Sequence, residues 1–276
     1  MIINKIVALL ISLGIASCSN DPFAASPNCD LGSAPGIQVI PYTGDQLANN
    51  ELSFMFVGGP TATTRKISKL LNGVGIKATF FMVGIQAATI ESVVRDVYAD
   101  GHLIGNMGYS GGDIEDSLDP RMSIRNTEWS ILDYIKGSMF LLYMTEYRFS
   151  GLQAQYLNQN GLKKYVGPIK PDIGDVDDRG TGFLTDDQCW EQGKTEKECA
   201  ENYLTEIQRV GSGIVLFHDT NEKTATMLDI LLPSLDSVNG YTIKPLQDIP
   251  NIANALSLSG ANLSAKDSSG TCNDYQ

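Results

Sequence analysis

The sequence predicts an α/β domain with a mostly parallel sheet covered by helices. Three observations carry the prediction. Short apolar runs alternate with amphipathic stretches from residue 52 onward, and glycines mark most transitions. The run ending in Met55-Phe56-Val57-Gly58-Gly59-Pro60 delivers a glycine-rich loop from a strand end. Alternation of this kind suits parallel pairing, because each crossover needs a helix-length connection. With 276 residues, 42% of them hydrophobic and 19% charged, the chain is long enough for one domain with a substantial core.

The first strand of the pattern is Leu52-Ser53-Phe54-Met55-Phe56. A threonine-rich helix start follows, and Ile67, Leu70, Leu71 and Val74 recur at helical spacing until Gly73 and Gly75 end the run. A second strand spans residues 78–84, then a helix carrying Val93, Val94, Val97 and Tyr98 closes at Gly101. Ile104 opens a third strand-to-loop passage that runs to Gly111. A helix with Trp129, Leu132, Tyr134 and Ile135 precedes the apolar run 139–144. Tyr203, Leu204 and Ile207 form a helix face before the strand Gly213-Ile214-Val215-Leu216-Phe217, and residues 224–236 with Tyr241-Thr242-Ile243 give a last unit. Residues 18–48 read as a linker, 49–253 as the domain and 254–276 as a polar tail. No internal repeat is visible.

Residues 1–17 read as an export signal: Lys5, an apolar stretch over 6–15, then Ala16-Ser17-Cys18. The apolar stretch is too short for a permanent membrane span. Ile15-Ala16-Ser17-Cys18 resembles the lipobox of bacterial lipoproteins, which implies lipidation of Cys18 and a membrane anchor. Ser19 after it resembles outer-membrane sorting in a Gram-negative host, so the expected location is the bacterial cell envelope, on the outer membrane or in the periplasm. An ordinary cleaved signal peptide is the alternative. Setting Cys18 aside leaves four of five cysteines, an even number for an oxidising compartment. A local Cys189–Cys199 bridge is expected, with Cys29 and Cys272 joining the ends, although three pairings are open. The absence of any Cys-x-x-Cys pair argues against zinc held by these cysteines. A net charge of −12 argues against nucleic acid or anionic lipid surfaces as partners.

Several segments together resemble the polysaccharide deacetylases of the NodB-homology type, also called carbohydrate esterase family 4. They are Phe56 with Gly59-Pro60, Gly75-Ile76-Lys77-Ala78-Thr79-Phe80-Phe81-Met82-Val83-Gly84, Gly101-His102-Leu103-Ile104-Gly105-Asn106, Gly213-Ile214-Val215-Leu216-Phe217-His218-Asp219 and Gly240-Tyr241. Their order and spacing cover roughly residues 50–250. The resemblance implies a distorted (β/α) barrel with its site at the C-terminal ends of the strands.

Members of that family hold a divalent cation, zinc or another, with one Asp and two His, and use a neighbouring Asp as base. Matched position by position, the base becomes Val57, the metal Asp becomes Gly58, and the two His become Met107 and Gly111. Arg148 keeps the arginine of a motif whose prolines are gone, Asp172 and Asp175 keep an Asp-x-x-Asp spacing, and His218 stands at the general-acid position. A bound metal lowers the pKa of water from ~15.7 to ~7, on the order of 10 kcal/mol in hydroxide availability. A lost base removes a further factor of about 10²–10⁴ in rate. With two histidines in the whole chain, no substitute His-rich site is available. His102 is expected to be structural. The acidic groups Asp113, Glu115, Asp116 and Asp119, and Asp172, Asp175, Asp177 and Asp178, lack the pattern of a calcium loop and read as solvated. Ser110 lies outside a Gly-x-Ser-x-Gly frame, and no phosphate-binding loop is present.

The sequence therefore predicts a deacetylase-like envelope lipoprotein that is catalytically silent and has lost the family metal. Its groove would hold a glycan such as peptidoglycan or a chitin-like polymer, or a protein partner, with Tyr109, Arg148, Phe149 and His218 as candidate lining residues. Two alternatives are a hydrolase with an unorthodox site that removes acetyl groups from polysaccharide, and a structural lipoprotein whose old groove is filled by Met107 and Val57.

Overall fold

The computed structural model describes residues 34–111, 114, 119–135, 139–145, 147, 149–175 and 180–259. The signal segment, Cys18, Cys29, Cys272, Arg148 and the acidic residues Asp113, Glu115, Asp116, Asp177 and Asp178 lie outside them.

The elements run β1 (Ile37–Tyr42), β2 (Glu51–Val57), α1 (Ala62–Gly73), β3 (Thr79–Met82), α2 (Gly84–Ala87), α3 (Glu91–Ala99) and β4 (Leu103–Asn106). They continue through α4 (Pro120–Leu132), α5 (Gly151–Leu157), β5 (Gly167–Ile169), α6 (Asp186–Glu191), α7 (Glu196–Val210), β6 (Gly213–His218), α8 (Glu222–Leu231), β7 (Thr242–Ile243) and α9 (Pro250–Leu258). All strand pairs are parallel. The main sheet has the order β4-β3-β2-β6, with β7 also pairing β2, while β1 and β5 form a separate pair. The expected barrel is not one continuous ladder among the described residues. Single bridges Asn106↔Leu142, Leu141↔Val166 and Ile173↔Val215 link the two sheets instead. The run 139–144 thus pairs residue by residue rather than as a full strand.

β2 is buried from Leu52 to Val57, as a central strand covered on both faces must be. Phe56 stacks between Phe80 and Phe217, with ring centroids 4.7 and 5.5 Å away. On helix α1, Ile67 and Leu71 are buried, but Val74 falls past the last turn and is exposed. Tyr98 is likewise exposed at the end of α3. The α4 face differs from the expected one. Ile124, Thr127, Glu128 and Ile131 point inward, and Trp129 points out.

Two boundaries also shift. Residues 37–42 of the expected linker form β1, which buries Ile37 and pairs in parallel with β5. Residues 254–258 of the expected tail continue α9, whose Ile252, Ala255 and Leu256 are buried. The bridge Cys189–Cys199 is formed, with Cα atoms 5.9 Å apart, and staples α6 to the start of α7.

His102 is structural. The Ala78 N–H donates to its Nδ1 at 3.2 Å, and its Nε2 lies 3.1 Å from the Ser68 carbonyl, which together fix the neutral Nε2–H tautomer. Burial holds its pKa below the ordinary value, with the Ser68 contact opposing. The folded state resists the proton that the unfolded chain takes up, so this group contributes stability that is lost as pH falls below the ordinary histidine range.

Candidate functional site

The C-terminal ends of β2, β3, β4 and β6 meet in register: Val57 pairs with Phe81 on one side and His218 on the other. At the family's metal position the Gly58 N–H donates to the Met107 Sδ at 3.3 Å. Val57, Phe81, Val83, Met107 and Tyr143 belong to one apolar cluster at these strand ends. Gly58 has φ +97, a conformation side chains disfavour, and a Cβ built there would sit 2.8 Å from the Thr220 Cγ2. Gly111 has φ +78, and a Cβ there would meet the two Val83 methyls at 2.9 Å. The three positions offer a backbone N–H, a thioether and no side chain, and this set lacks the imidazole and carboxylate ligands that zinc or a harder divalent cation takes.

Asp219 fastens the loop behind this point. Its carboxylate accepts from the Gly59 N–H at 2.7 Å and the Thr64 hydroxyl at 2.6 Å, and its carbonyl accepts from the Thr61 hydroxyl at 2.7 Å. Thr61 in turn caps α1. Burial pushes the Asp219 pKa up to about 7, against the Thr64 and Gly59 hydrogen bonds. Between the ordinary carboxylate range and that value, the folded protein holds a proton that the unfolded chain has released. Stability from this group therefore falls as pH rises through that window. Asp219→Asn is expected to flatten the change in urea-unfolding free energy between pH 5 and pH 7 relative to the parent, measured side by side.

His218 is oriented by a residue that no motif in the sequence marks. Its Nδ1 lies 2.7 Å from Asp186 Oδ1, while its backbone N–H and the Thr224 hydroxyl donate to Asp186 Oδ2 at 2.8 and 2.9 Å. The Trp190 indole N–H donates to Thr224 at 3.2 Å, and the Tyr203 hydroxyl sits 3.1 Å from the Asp186 backbone N–H. Burial lowers the His218 pKa, but the hydrogen bond and charge of Asp186, helped by Asp187, outweigh it and the net shift is upward. One ligand atom each from Asp186, Asp187 and His218 lie within 4.8 Å of one another. Both Asp186 oxygens accept hydrogen bonds, which orients the imidazole while leaving it partly open to solvent. The only sequence signal near Asp186 is the capping box Thr185…Gln188, which starts α6 and places Asp186 in its first turn. Asp186→Asn is expected to lower the His218 titration midpoint, as followed by the imidazole NMR signals against pH.

The other predicted residues scatter. Asp172 Oδ2 accepts from the backbone N–H of Gly44 and Ile214, both at 2.8 Å, and is a structural lock. Asp119 caps α4. Asp175 lies beside Tyr147 and not His218; burial first, then Tyr143 and Asp175, hold the Tyr147 phenol well above its ordinary pKa. Phe149, expected to line the groove, is 1% exposed and packs in the core. Tyr109 is partly exposed, with its backbone N–H donating to Ser123 Oγ at 2.9 Å.

Behind Met107 runs a buried polar network. Asn106 accepts from the Gly108 N–H at 2.9 Å and donates to the Tyr165 hydroxyl at 3.0 Å, which donates to Glu128 at 2.8 Å. Glu128 also meets Lys164 at 2.7 Å and Arg125 at 3.6 Å, all three essentially without solvent contact.

Residues 45–143 match the polysaccharide deacetylase family. Among curated proteins, the chain is 26% identical over 195 residues to a chitin deacetylase of Colletotrichum lindemuthianum, covering 66% of this chain and 72% of that one. Among solved structures, it superposes on a peptidoglycan deacetylase of Bacillus subtilis with a TM-score of 0.57 at 16% identity, covering 75% of this chain and 92% of the other. It superposes equally, at TM-score 0.57 and 15% identity, on a CE4 family pseudoenzyme from Bacillus anthracis, covering 74% and 66%. Residues 45–143 are thus similar to polysaccharide deacetylases, and the chain shares the fold of solved deacetylase structures.

Proposed function

We propose that this chain is a deacetylase-like protein of the bacterial envelope that has lost metal-dependent deacetylation and binds a glycan without cleaving it. The single observation behind the proposal is the Gly58 N–H to Met107 Sδ contact where the family places its cation. Val57 supplies no lone pair to replace the base, and nothing in the His218–Asp186 pair makes a hydroxide. The chitin and peptidoglycan named for the similar deacetylases make N-acetylhexosamine polymers the first ligands to test. Export and lipidation at Cys18 belong to the same proposal and rest on the signal-like N-terminus; among the described residues no helix is long and apolar enough to cross a membrane.

The test combines three measurements on purified protein: metal content, acetate release, and equilibrium binding to chitooligosaccharides and peptidoglycan fragments. The expected result is substoichiometric metal, no acetate and saturable binding. No binding to any fragment removes the glycan half. A second reading, a hydrolase working without the family metal, is favoured by the orientation that Asp186 gives His218. Acetate release abolished by His218→Ala would establish it in place of the first.

A further inference from the structure

The net charge is −12, yet two adjoining segments contain no charged residue at all. These are residues 34–44, which hold β1, and 149–162, which hold α5. The two elements pack against each other. Asn158 at the end of α5 locks them by accepting from the Ile37 N–H at 2.8 Å and donating to the Ile37 carbonyl at 2.9 Å. Four exposed large apolar side chains sit on this paired unit: Ile40 and Leu152 are each 80% exposed, Val39 48% and Tyr156 42%. Leu152 and Tyr156 stand four apart on α5 and share one helix face, while Ala154 and Leu157 face inward. Exposed apolar side chains gathered on two packed, uncharged elements suit an interaction surface.

We infer that the β1–α5 face rests on the lipid bilayer that holds the Cys18 anchor, an inference that rests on the lipoprotein reading above. The described chain begins at Ala34, three residues before β1, so the segment leading from Cys18 enters the domain beside this face. Those 16 positions span at most about 55 Å even fully extended. Aliphatic residues with a tyrosine among them, free of carboxylates, suit the interface of a zwitterionic membrane, whereas the acidic remainder of the surface is repelled by anionic lipid. The ligand is therefore the acyl–headgroup boundary of the bilayer, and the strand-end site is carried on a domain of fixed orientation.

The experiment uses the full chain expressed with its own export signal and reconstituted in brominated phosphatidylcholine vesicles, which quench only tryptophans at bilayer depth. Leu152→Trp is expected to lose about half of the fluorescence that it adds, while the parent, with Trp129 and Trp190, changes little. Ile40→Asp in the Leu152→Trp background is expected to return quenching to the parental level, with circular dichroism confirming the fold. Mass spectrometry of the N-terminal peptide separates the two layers. An unmodified Cys18 overturns the anchor and this inference with it. An acylated Leu152→Trp protein whose added fluorescence stays unquenched overturns the docking alone. A dimer in detergent that Ile40→Asp dissociates would make the face an interface between copies and overturn the proposal.

Discussion

Replacing Gly58 by aspartate is expected to destabilise the domain by about 2–3 kcal/mol and to recruit no zinc. The family's ligand cannot simply be reinstated, because the backbone at Gly58 has φ +97 and the new Cβ would press on Thr220 Cγ2 at 2.8 Å. Placing histidine at Gly111 meets the same obstacle from Val83. Urea unfolding of Gly58→Asp against the parent measures the cost. Gly73→Ala is the control, since a Cβ there meets nothing within 4 Å, and it is expected to be neutral or slightly stabilising. Metal analysis of the same Gly58→Asp protein completes the test: a stoichiometric divalent ion would show that the loop rebuilds a site on its own and that the clash with Thr220 is no barrier.

Glu128→Ala is expected to be the most damaging single substitution in the polar core, at about 3–5 kcal/mol. Glu128 is the carboxylate between Arg125 and Lys164, and all three side chains are shielded from water. Removing it takes a buried counter-charge from both Arg125 and Lys164 and withdraws the acceptor of the Tyr165 hydroxyl. Because Tyr165 bonds Asn106, and Asn106 holds the Gly108 N–H, the loss is also expected to loosen the segment carrying Met107. Hydrogen exchange of the Gly108 amide reads that second effect separately from global unfolding. Glu128→Gln retains the shape and one acceptor, so its cost is expected to be smaller; equal costs for both variants would show that packing and not charge dominates.

The strands that build the candidate site were legible in the sequence because each is an apolar run ended by glycine or a cap. β2, β3, β4 and β6 all lie where the pattern put them to within a residue or two. β1 was missed because its short Ile-Gln-Val-Ile run is flanked by Pro, Gly and polar residues, the composition of a linker. α9 was hidden in the same way by its Ser and Asn content, although Ile252, Ala255 and Leu256 occupy helical spacing. The strand-end positions Val57, Gly58, Met107 and Gly111 were found through the family resemblance, by matching its motifs position by position. Asp186 could not be found in this way, because a hydrogen bond between residues 32 apart in sequence leaves no local trace. Phe149 misled for the opposite reason: an aromatic beside Arg148 reads as a ligand platform until its burial is known.

The apolar cluster that contains Val57 and Met107 also contains Leu246, Ile249, Ile252, Ala255 and Leu256. The strand ends and the last described helix therefore share one apolar cluster, and a disturbance at either is expected to be felt at the other. Cutting the chain after residue 253 would remove the last five residues of α9, with Ala255 and Leu256 among them, from this cluster. Hydrocarbon packing ties these distant stretches of chain together, and substitutions at buried Met107 are expected to be tolerated only where they keep a similar volume.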